Sequence, residues 1–136
     1  SFDDTNTGGS FMVFDRSRDL LDVALNFTKF FAHESCGFCT PCRVGTKLMV
    51  NMANKIANGH GARLDIEQMH RLNRLMTQAS HCGLGQSAAV PILTTYEKFP
   101  EAFDRRMEDV EYKPAFDVEA AIERSRQIVA EEVKAK

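Results

Sequence analysis

The sequence predicts a mainly α-helical protein: a small four-helix bundle, with a short strand before it and a helical tail after it. Four segments carry apolar residues at three- and four-residue spacing, the pattern of a helix with one buried face. Short connections rich in Gly, Pro and Ser separate these segments, which favours antiparallel neighbours in a bundle. The length of 136 residues suits one small domain with a modest core.

The chain opens with a loop over residues 1–9, and residues 10–14 (SFMVF) are predicted to form one short buried strand. The first helix should span residues 19–34, where six apolar residues share one face. These are Leu20, Val23, Ala24, Phe27, Phe30 and Phe31.

The second helix should begin near Pro41, whose fixed φ and missing N–H suit a first turn, with Thr40 as its N-cap. Gly59 and Gly61 should end it, because glycine readily takes the left-handed conformation that closes helices. Its predicted buried face consists of Val44, Leu48, Met52 and Ile56.

The third helix is predicted from Asp65, since Asp65 followed by Gln68 resembles a capping box, and it should end near Ser80. Its predicted buried face consists of Ile66, Met69, Leu72, Met76 and Ala79.

A fourth helix should be capped by Ser87, carry Pro91 in its first turn and stop at Pro100. Residues 108–116 then form a linker, and Asp117 caps a charged helix, so that the bundle covers 16–107 and the linker with its tail covers 108–136. The predicted inward residues of the fourth helix are Ile92, Tyr96 and Phe99. The apolar residues along one side of the tail helix, which could dock on a partner or fray, are Val118, Ala121, Ile122, Val129 and Val133.

Composition and charge exclude several classes of function. With 43% hydrophobic and 26% charged residues and a net charge of −2, the chain has no basic excess for binding nucleic acid. No apolar run approaches the roughly 20 residues of a membrane span, and the acidic N-terminus is unlike a signal peptide. We therefore expect a reducing, cytoplasmic setting, in which clustered cysteines more often bind metal or act in catalysis than form disulfides.

All four cysteines lie in two places: Cys36, Cys39 and Cys42 at successive three-residue spacings, and Cys82 far along the chain. The first three fall in the turn between the first and second helices, and Cys82 falls between the third and fourth. In an up-down-up-down bundle these two turns share one end. Three cysteines that wrap one corner of a cubane, with a distant fourth, match the Cys₄ coordination of a [4Fe–4S] cluster.

Glycines beside these cysteines, Gly37, Gly83 and Gly85, would let the backbone pass close to an inorganic core and offer N–H groups to sulfur. Arg43 could offset the charge of a reduced cluster or simply be solvated. His81 could hydrogen-bond to the site or lie exposed beside a turn.

Two interpretations of the cysteines without redox chemistry remain open. Structural zinc also accepts four cysteines, although its ligands usually come as two separate CxxC pairs. Four unrelated buried cysteines are a weaker alternative, because the surrounding turns are glycine-rich rather than apolar. The chain shows neither a glycine-rich nucleotide loop nor a nucleophile with its base, so the segment alone is not expected to be catalytic.

The run ESCGFCTPCRVG at 34–45 closely resembles the ESCGxCxPCRxG motif of the flavoprotein subunits of NADH dehydrogenases and related diaphorases, and the likeness extends over roughly residues 8–107. The segments SHCGLG around Cys82 and PILTTYEKFPEAF after it look most similar to the diaphorase flavoprotein of cytoplasmic NAD-reducing [NiFe] hydrogenases. The resemblance implies that Cys36, Cys39, Cys42 and Cys82 bind the [4Fe–4S] cluster.

The resemblance also implies an upstream domain that binds NAD(H) and FMN, so that residues 1–15 would be the end of a preceding domain. The cluster would take electrons from the flavin and pass them to Fe–S centres in diaphorase and hydrogenase partner subunits. We therefore expect an electron-transfer module of an oxidoreductase complex. The competing hypothesis is an interaction module in which a metal only clamps two turns.

Overall fold

The computed structural model describes residues 12–108 and 122–128, and within them the chain is helical throughout its regular structure. The helices are α1 Leu20–Glu34, α2 Thr40–Ala57, α3 Arg63–Ala79, α4 Gly83–Ser87, α5 Val90–Lys98 and α6 Glu101–Asp104. A further helical segment covers 122–128. Helix α1 packs against α2 and α5, and α3 packs against α2 and α4. The prediction of a mainly α fold is confirmed.

Helix α1 begins where the sequence placed its start, because Asp19 caps it. The Asp19 carboxylate accepts hydrogen bonds from the backbone N–H groups of Leu21, at 2.9 Å, and Asp22, at 3.3 Å. The same carboxylate pairs with Arg105 and with Arg106, the latter at 3.0 Å. Asp19 thus joins the first turn of α1 to the chain that follows α6.

We expect Asp19→Ala to lower the free energy of unfolding by about 1–2 kcal/mol, because both the cap and the ion pairs are lost. Asp19→Asn should cost roughly 0.5 kcal/mol, since asparagine still caps a helix but carries no charge. Urea unfolding measures both. An Asn variant as unstable as the Ala variant would show that the ion pairs, rather than the cap, fix the start of α1.

The starts of α2 and α3 each differ from prediction by a few residues. Thr40 is already helical and Cys39 is the N-cap of α2, with Pro41 in the first turn as expected. Helix α3 starts at Arg63, and the Asp65 carboxylate reaches back to accept the N–H of Ala62 at 2.8 Å. Asp65 is therefore a first-turn residue that satisfies the cap from inside the helix, rather than the cap itself.

Glycine closes α2 as predicted, and a second glycine provides a close packing contact. The chain turns at Gly59, whose φ of +82° is a left-handed conformation. Gly61 instead forms an isolated parallel β-bridge with Met107, and a Cβ there would lie 2.7 Å from Cγ1 of Ile56. Gly61 thus allows the α2–α3 connection to pack tightly against α2.

The buried faces of the helices agree with prediction in part. Ile66, Met69 and Met76 of α3 are buried as expected, whereas Val44 and Leu48 of α2 are 44% and 45% exposed, and Phe30, Ala79 and Phe99 are also exposed. In α2 the buried face is rotated, and Gly45, Thr46 and Met49 are buried instead. The buried residues of the three long helices are Leu21, Ala24, Leu25, Thr28, Cys42, Gly45, Thr46, Met49, Ala53, Ile56, Ile66, Met69 and Met76.

The predicted fourth helix is divided into shorter pieces. Ser87 ends α4, where its hydroxyl donates to the Gly83 carbonyl at 2.7 Å, so it does not cap α5. Helix α5 carries Pro91 in its first turn, and α6 starts directly after Pro100. Phe103 of α6 is fully buried. The interruption at Pro100 therefore redirects the chain so that Phe103 enters the core.

The predicted strand is wrong over the residues that the structure describes. Met12, Val13 and Phe14 have no regular structure and are 65%, 85% and 44% exposed. In the described part of the chain no strand lies beside them to pair with their backbone, and an unpaired strand is not stable. The rest of the predicted strand, most of the linker and the cap Asp117 lie outside the described residues.

The tail is described only over 122–128, where its helical character agrees with the prediction. Ile122 is 46% exposed there. Among the described residues, no helix combines the length and the apolar character needed to cross a membrane.

Candidate metal centre

The first cysteine segment connects α1 to α2 in a tight turn. Ser35 ends α1, and Gly37 has a left-handed φ of +77°, which a residue with a side chain would adopt only at a cost. Cys36 is exposed, Cys39 is partly buried, and Cys42 in the first turn of α2 is 5% exposed. The three thiols therefore run from the surface into the protein.

Arg43 holds this turn in shape. Its guanidinium donates to the Gly37 carbonyl and, at 3.4 Å, to the Thr40 hydroxyl. A rigid turn fixes where its cysteine side chains point. The structure therefore gives Arg43 a positioning contact that the sequence did not suggest.

The second cysteine segment lies beside the first. The Cys39 sulfur accepts a hydrogen bond from the backbone N–H of His81, and the rings of His81 and Phe38 meet edge to face with centroids 5.3 Å apart. Cys82 itself is exposed and is the N-cap of α4. The structure thus brings the turn before α2 and the turn before α4 together, as an up-down-up-down bundle requires.

The surroundings of Cys39 favour its ionised form. The His81 N–H lowers the pKa of this thiol most, and the N–H groups of Cys42 and Cys39 lower it further. Partial burial opposes them by raising the pKa, but the net shift is downward. Because the thiolate is the metal-binding form of cysteine, the turn is prepared for a ligand role at Cys39.

Gly85, rather than Gly83, is the glycine at which chain segments approach closely. A Cβ on Gly85 would lie 2.5 Å from Oγ of Ser80, 2.7 Å from Cβ of Ser80 and 2.9 Å from Cβ of Cys42. A Cβ on Gly83 would meet no atom within 4 Å. The absence of a side chain at Gly85 therefore allows α4 to lie against both the end of α3 and the start of α2.

Two serine hydroxyls at the site were missed from the sequence. Ser35 Oγ lies 3.2 Å from Sγ of Cys42. Ser80 is 6% exposed, and its Oγ has no hydrogen-bond partner of normal length in the described structure. The available signal was their position, one residue before Cys36 and two before Cys82. A buried hydroxyl without a partner is costly unless something else satisfies it.

These features fit a bound iron–sulfur cluster. The arrangement offers an ionisable thiol, N–H donors, a side-chain-free approach at Gly85 and an unsatisfied hydroxyl. Within the described ranges, no three His, Cys, Asp or Glu side chains converge closely enough to share one metal ion. A cubane requires less convergence, since each thiolate binds a different iron.

Comparison with known proteins agrees with this geometry. Residues 22–106 match the family described as the NADH-ubiquinone oxidoreductase-F iron–sulfur binding region, a [4Fe–4S] domain. The alpha subunit of the NAD-reducing hydrogenase HoxS of Cupriavidus necator is 35% identical over 124 residues, covering 90% of this chain and 21% of that protein. One of the NADH-quinone oxidoreductase subunits of Aquifex aeolicus is 39% identical over 97 residues, covering 71% of this chain and 23% of that protein.

A crystal structure of an NAD⁺-reducing [NiFe]-hydrogenase in its H₂-reduced state superposes with a TM-score of 0.70 and 39% identity, covering 88% of this chain and 20% of that one. The chain thus spans about a fifth of the length of the relatives it matches. The family description names an iron–sulfur cofactor and gives no support to structural zinc. The chain belongs to the NADH-ubiquinone oxidoreductase-F iron–sulfur binding region family, and its cofactor is a [4Fe–4S] cluster.

Proposed function

We propose that this chain is the cluster-binding module of an NAD-linked oxidoreductase, with Cys36, Cys39, Cys42 and Cys82 as the four ligands of one [4Fe–4S] cluster. When bound, such a cluster supplies reversible one-electron transfer. The observation that carries the proposal is the contact of the two cysteine segments, where the rings of Phe38 and His81 meet and where Gly85 lies against Cys42.

The protein's own residues prepare this function in three ways. The left-handed Gly37 and the Arg43 guanidinium shape the three-cysteine turn. The His81 N–H holds the Cys39 sulfur and favours its thiolate. Gly85 lets α4, whose N-cap is Cys82, pack against Cys42 at the start of α2. Each contact orders a proposed ligand before the cofactor arrives, which reduces the cost of ordering on binding.

The wider setting forms part of the same proposal. We infer that FMN and NAD(H) are bound in an upstream domain, that the cluster exchanges electrons with the flavin, and that Fe–S centres of diaphorase and hydrogenase subunits are its partners. The relatives from an NAD-reducing hydrogenase and an NADH-quinone oxidoreductase support this inference. A cytoplasmic location belongs to the proposal too, since clustered cysteines in a reducing compartment more often bind metal than form disulfides.

Anaerobic purification of the full chain tests the proposal. We expect a brown protein with about four irons and four acid-labile sulfides per chain, whose visible absorbance falls on addition of dithionite. A colourless protein that contains zinc and no labile sulfide would support the metal-clamped interaction module instead and would contradict electron transfer.

A further inference from the structure

The unsatisfied hydroxyl of Ser80 is the feature of the structure that neither the fold nor the ligand set explains. Ser80 ends α3, is 6% exposed, and its Oγ is buried without a hydrogen-bond partner of normal length among the described residues. A buried hydroxyl that lacks a partner loses its bonds to water without replacing them. A serine at this position therefore destabilises the described structure unless a bound group accepts a hydrogen bond from its hydroxyl.

The backbone of Ser80 is fixed on both sides, so its hydroxyl cannot readily turn away. The Ser80 N–H donates to the Met76 carbonyl at 3.0 Å, and the Ser80 carbonyl accepts from Nε2 of Gln86 at 3.0 Å. Gly85 closes the space on the other side, where even one added carbon would come within 2.5 Å of Ser80 Oγ. The hydroxyl is thereby confined between the ends of α2, α3 and α4, which is where the proposed ligands lie.

The groups around this hydroxyl indicate what it could bond to. Ser80 lies next to Cβ of Cys42 across Gly85, at the start of α2 where the proposed ligand Cys42 lies. The His81 N–H already donates to the Cys39 sulfur from the adjacent residue. Sulfur that carries negative charge accepts more than one donor, and hydrogen bonds to such sulfurs are one of the means by which proteins set cluster potentials.

We propose that Ser80 is a positioning residue whose buried hydroxyl donates a hydrogen bond to a sulfur of the bound cluster, and thereby raises the reduction potential of the cluster. The inference rests on the proposed function, since it requires the cluster to be bound between these two turns. Adding one electron makes the thiolate sulfurs more negative, so a donor stabilises the reduced state more than the oxidised state. No bond to Ser80 breaks in this step, and its proton stays on the oxygen.

The test is a redox titration of the loaded full chain, followed by electron paramagnetic resonance of the reduced cluster, with dithionite and mediators as the source of the electron. We expect Ser80→Ala to shift the oxidised-to-reduced ratio at a fixed potential about tenfold towards the oxidised form, a midpoint lower by about 59 mV. Ser87→Ala is the matched control, because its hydroxyl already donates to the Gly83 carbonyl. Its midpoint should equal that of the unaltered chain.

The outcomes separate this inference from the proposed function. An unaltered chain that assembles no cluster overturns both. A loaded Ser80→Ala chain with an unchanged midpoint overturns the role of Ser80 and leaves the proposed function standing. Should Ser80→Ala fail to load, Ser80→Gly replaces it, because glycine also removes the hydroxyl and offers no thiol that could bind iron. A lower midpoint in that variant supports the inference, and an unchanged midpoint overturns it.

Discussion

Replacing Cys82 by serine should remove the cluster as completely as replacing Cys39 by serine. Cys82 lies in a different segment and is exposed, whereas Cys39 is partly buried and its thiol has a lowered pKa. If both are ligands of one cubane, either change leaves one iron without its thiolate, and the loss is the same. We expect iron and labile sulfide per chain to fall roughly tenfold or more in both variants, measured after anaerobic purification.

The control for this comparison must alter the same region without touching a cysteine, since all four cysteines are assigned as ligands. Ser87→Ala at the end of α4 meets this requirement and should keep its iron and sulfide. A Cys82→Ser chain that retains a full cluster while Cys39→Ser loses it would contradict the four-ligand assignment. It would also show that the contact between the two segments serves only the fold.

The positions of the helices were largely predictable because local chemistry fixes them. Asp19 caps α1, Pro41 lies in the first turn of α2, and Gly59 takes the left-handed conformation after it. These signals depend on one or two neighbouring residues, so they act in the same way whatever tertiary structure surrounds them. The same holds for the spacing that puts three cysteines in one turn.

The buried faces were less predictable because they depend on which helices meet. Val44 and Leu48 have the right spacing for a core face but are exposed, while Thr46 on the same helix is buried. Thr46 can be buried because its hydroxyl donates to the Cys42 carbonyl at 2.8 Å, which leaves only its methyl group to pack. A prediction from hydrophobic spacing treats such a residue as polar and excludes it from the core. The predicted buried face is therefore rotated away from the observed one.

The details of the site failed for a related reason. The sequence named both Gly83 and Gly85 by their closeness to Cys82 and could not distinguish them. In the folded chain only Gly85 approaches other segments closely, since it faces Ser80 and Cys42 across three helix ends. Which of two glycines on one turn lies against another helix is a tertiary property.

Gly85→Ala should therefore damage the site, whereas Gly83→Ala should not. Neither glycine has a left-handed φ, so alanine is allowed by the backbone at both, and only the surrounding space differs. At position 85 the new methyl would meet the Cβ atoms of Ser80 and Cys42 at 2.7 and 2.9 Å. A Cβ is fixed to its backbone and cannot rotate away, so α4 must move as a unit.

That displacement has two measurable consequences. Overpacking of this kind lowers the free energy of unfolding by about 1–3 kcal/mol. Moving α4 also displaces its N-cap Cys82 relative to the start of α2, so iron and sulfide content should fall as well. Gly83→Ala, with no atom within 4 Å of its Cβ, should stay within roughly 0.5 kcal/mol of the unaltered chain and keep its cluster. Urea unfolding and iron analysis measure the pair. If the two variants behaved equally, α4 would not pack against the start of α2. The geometric reason for assigning Cys82 and Cys42 to one cluster would then be lost.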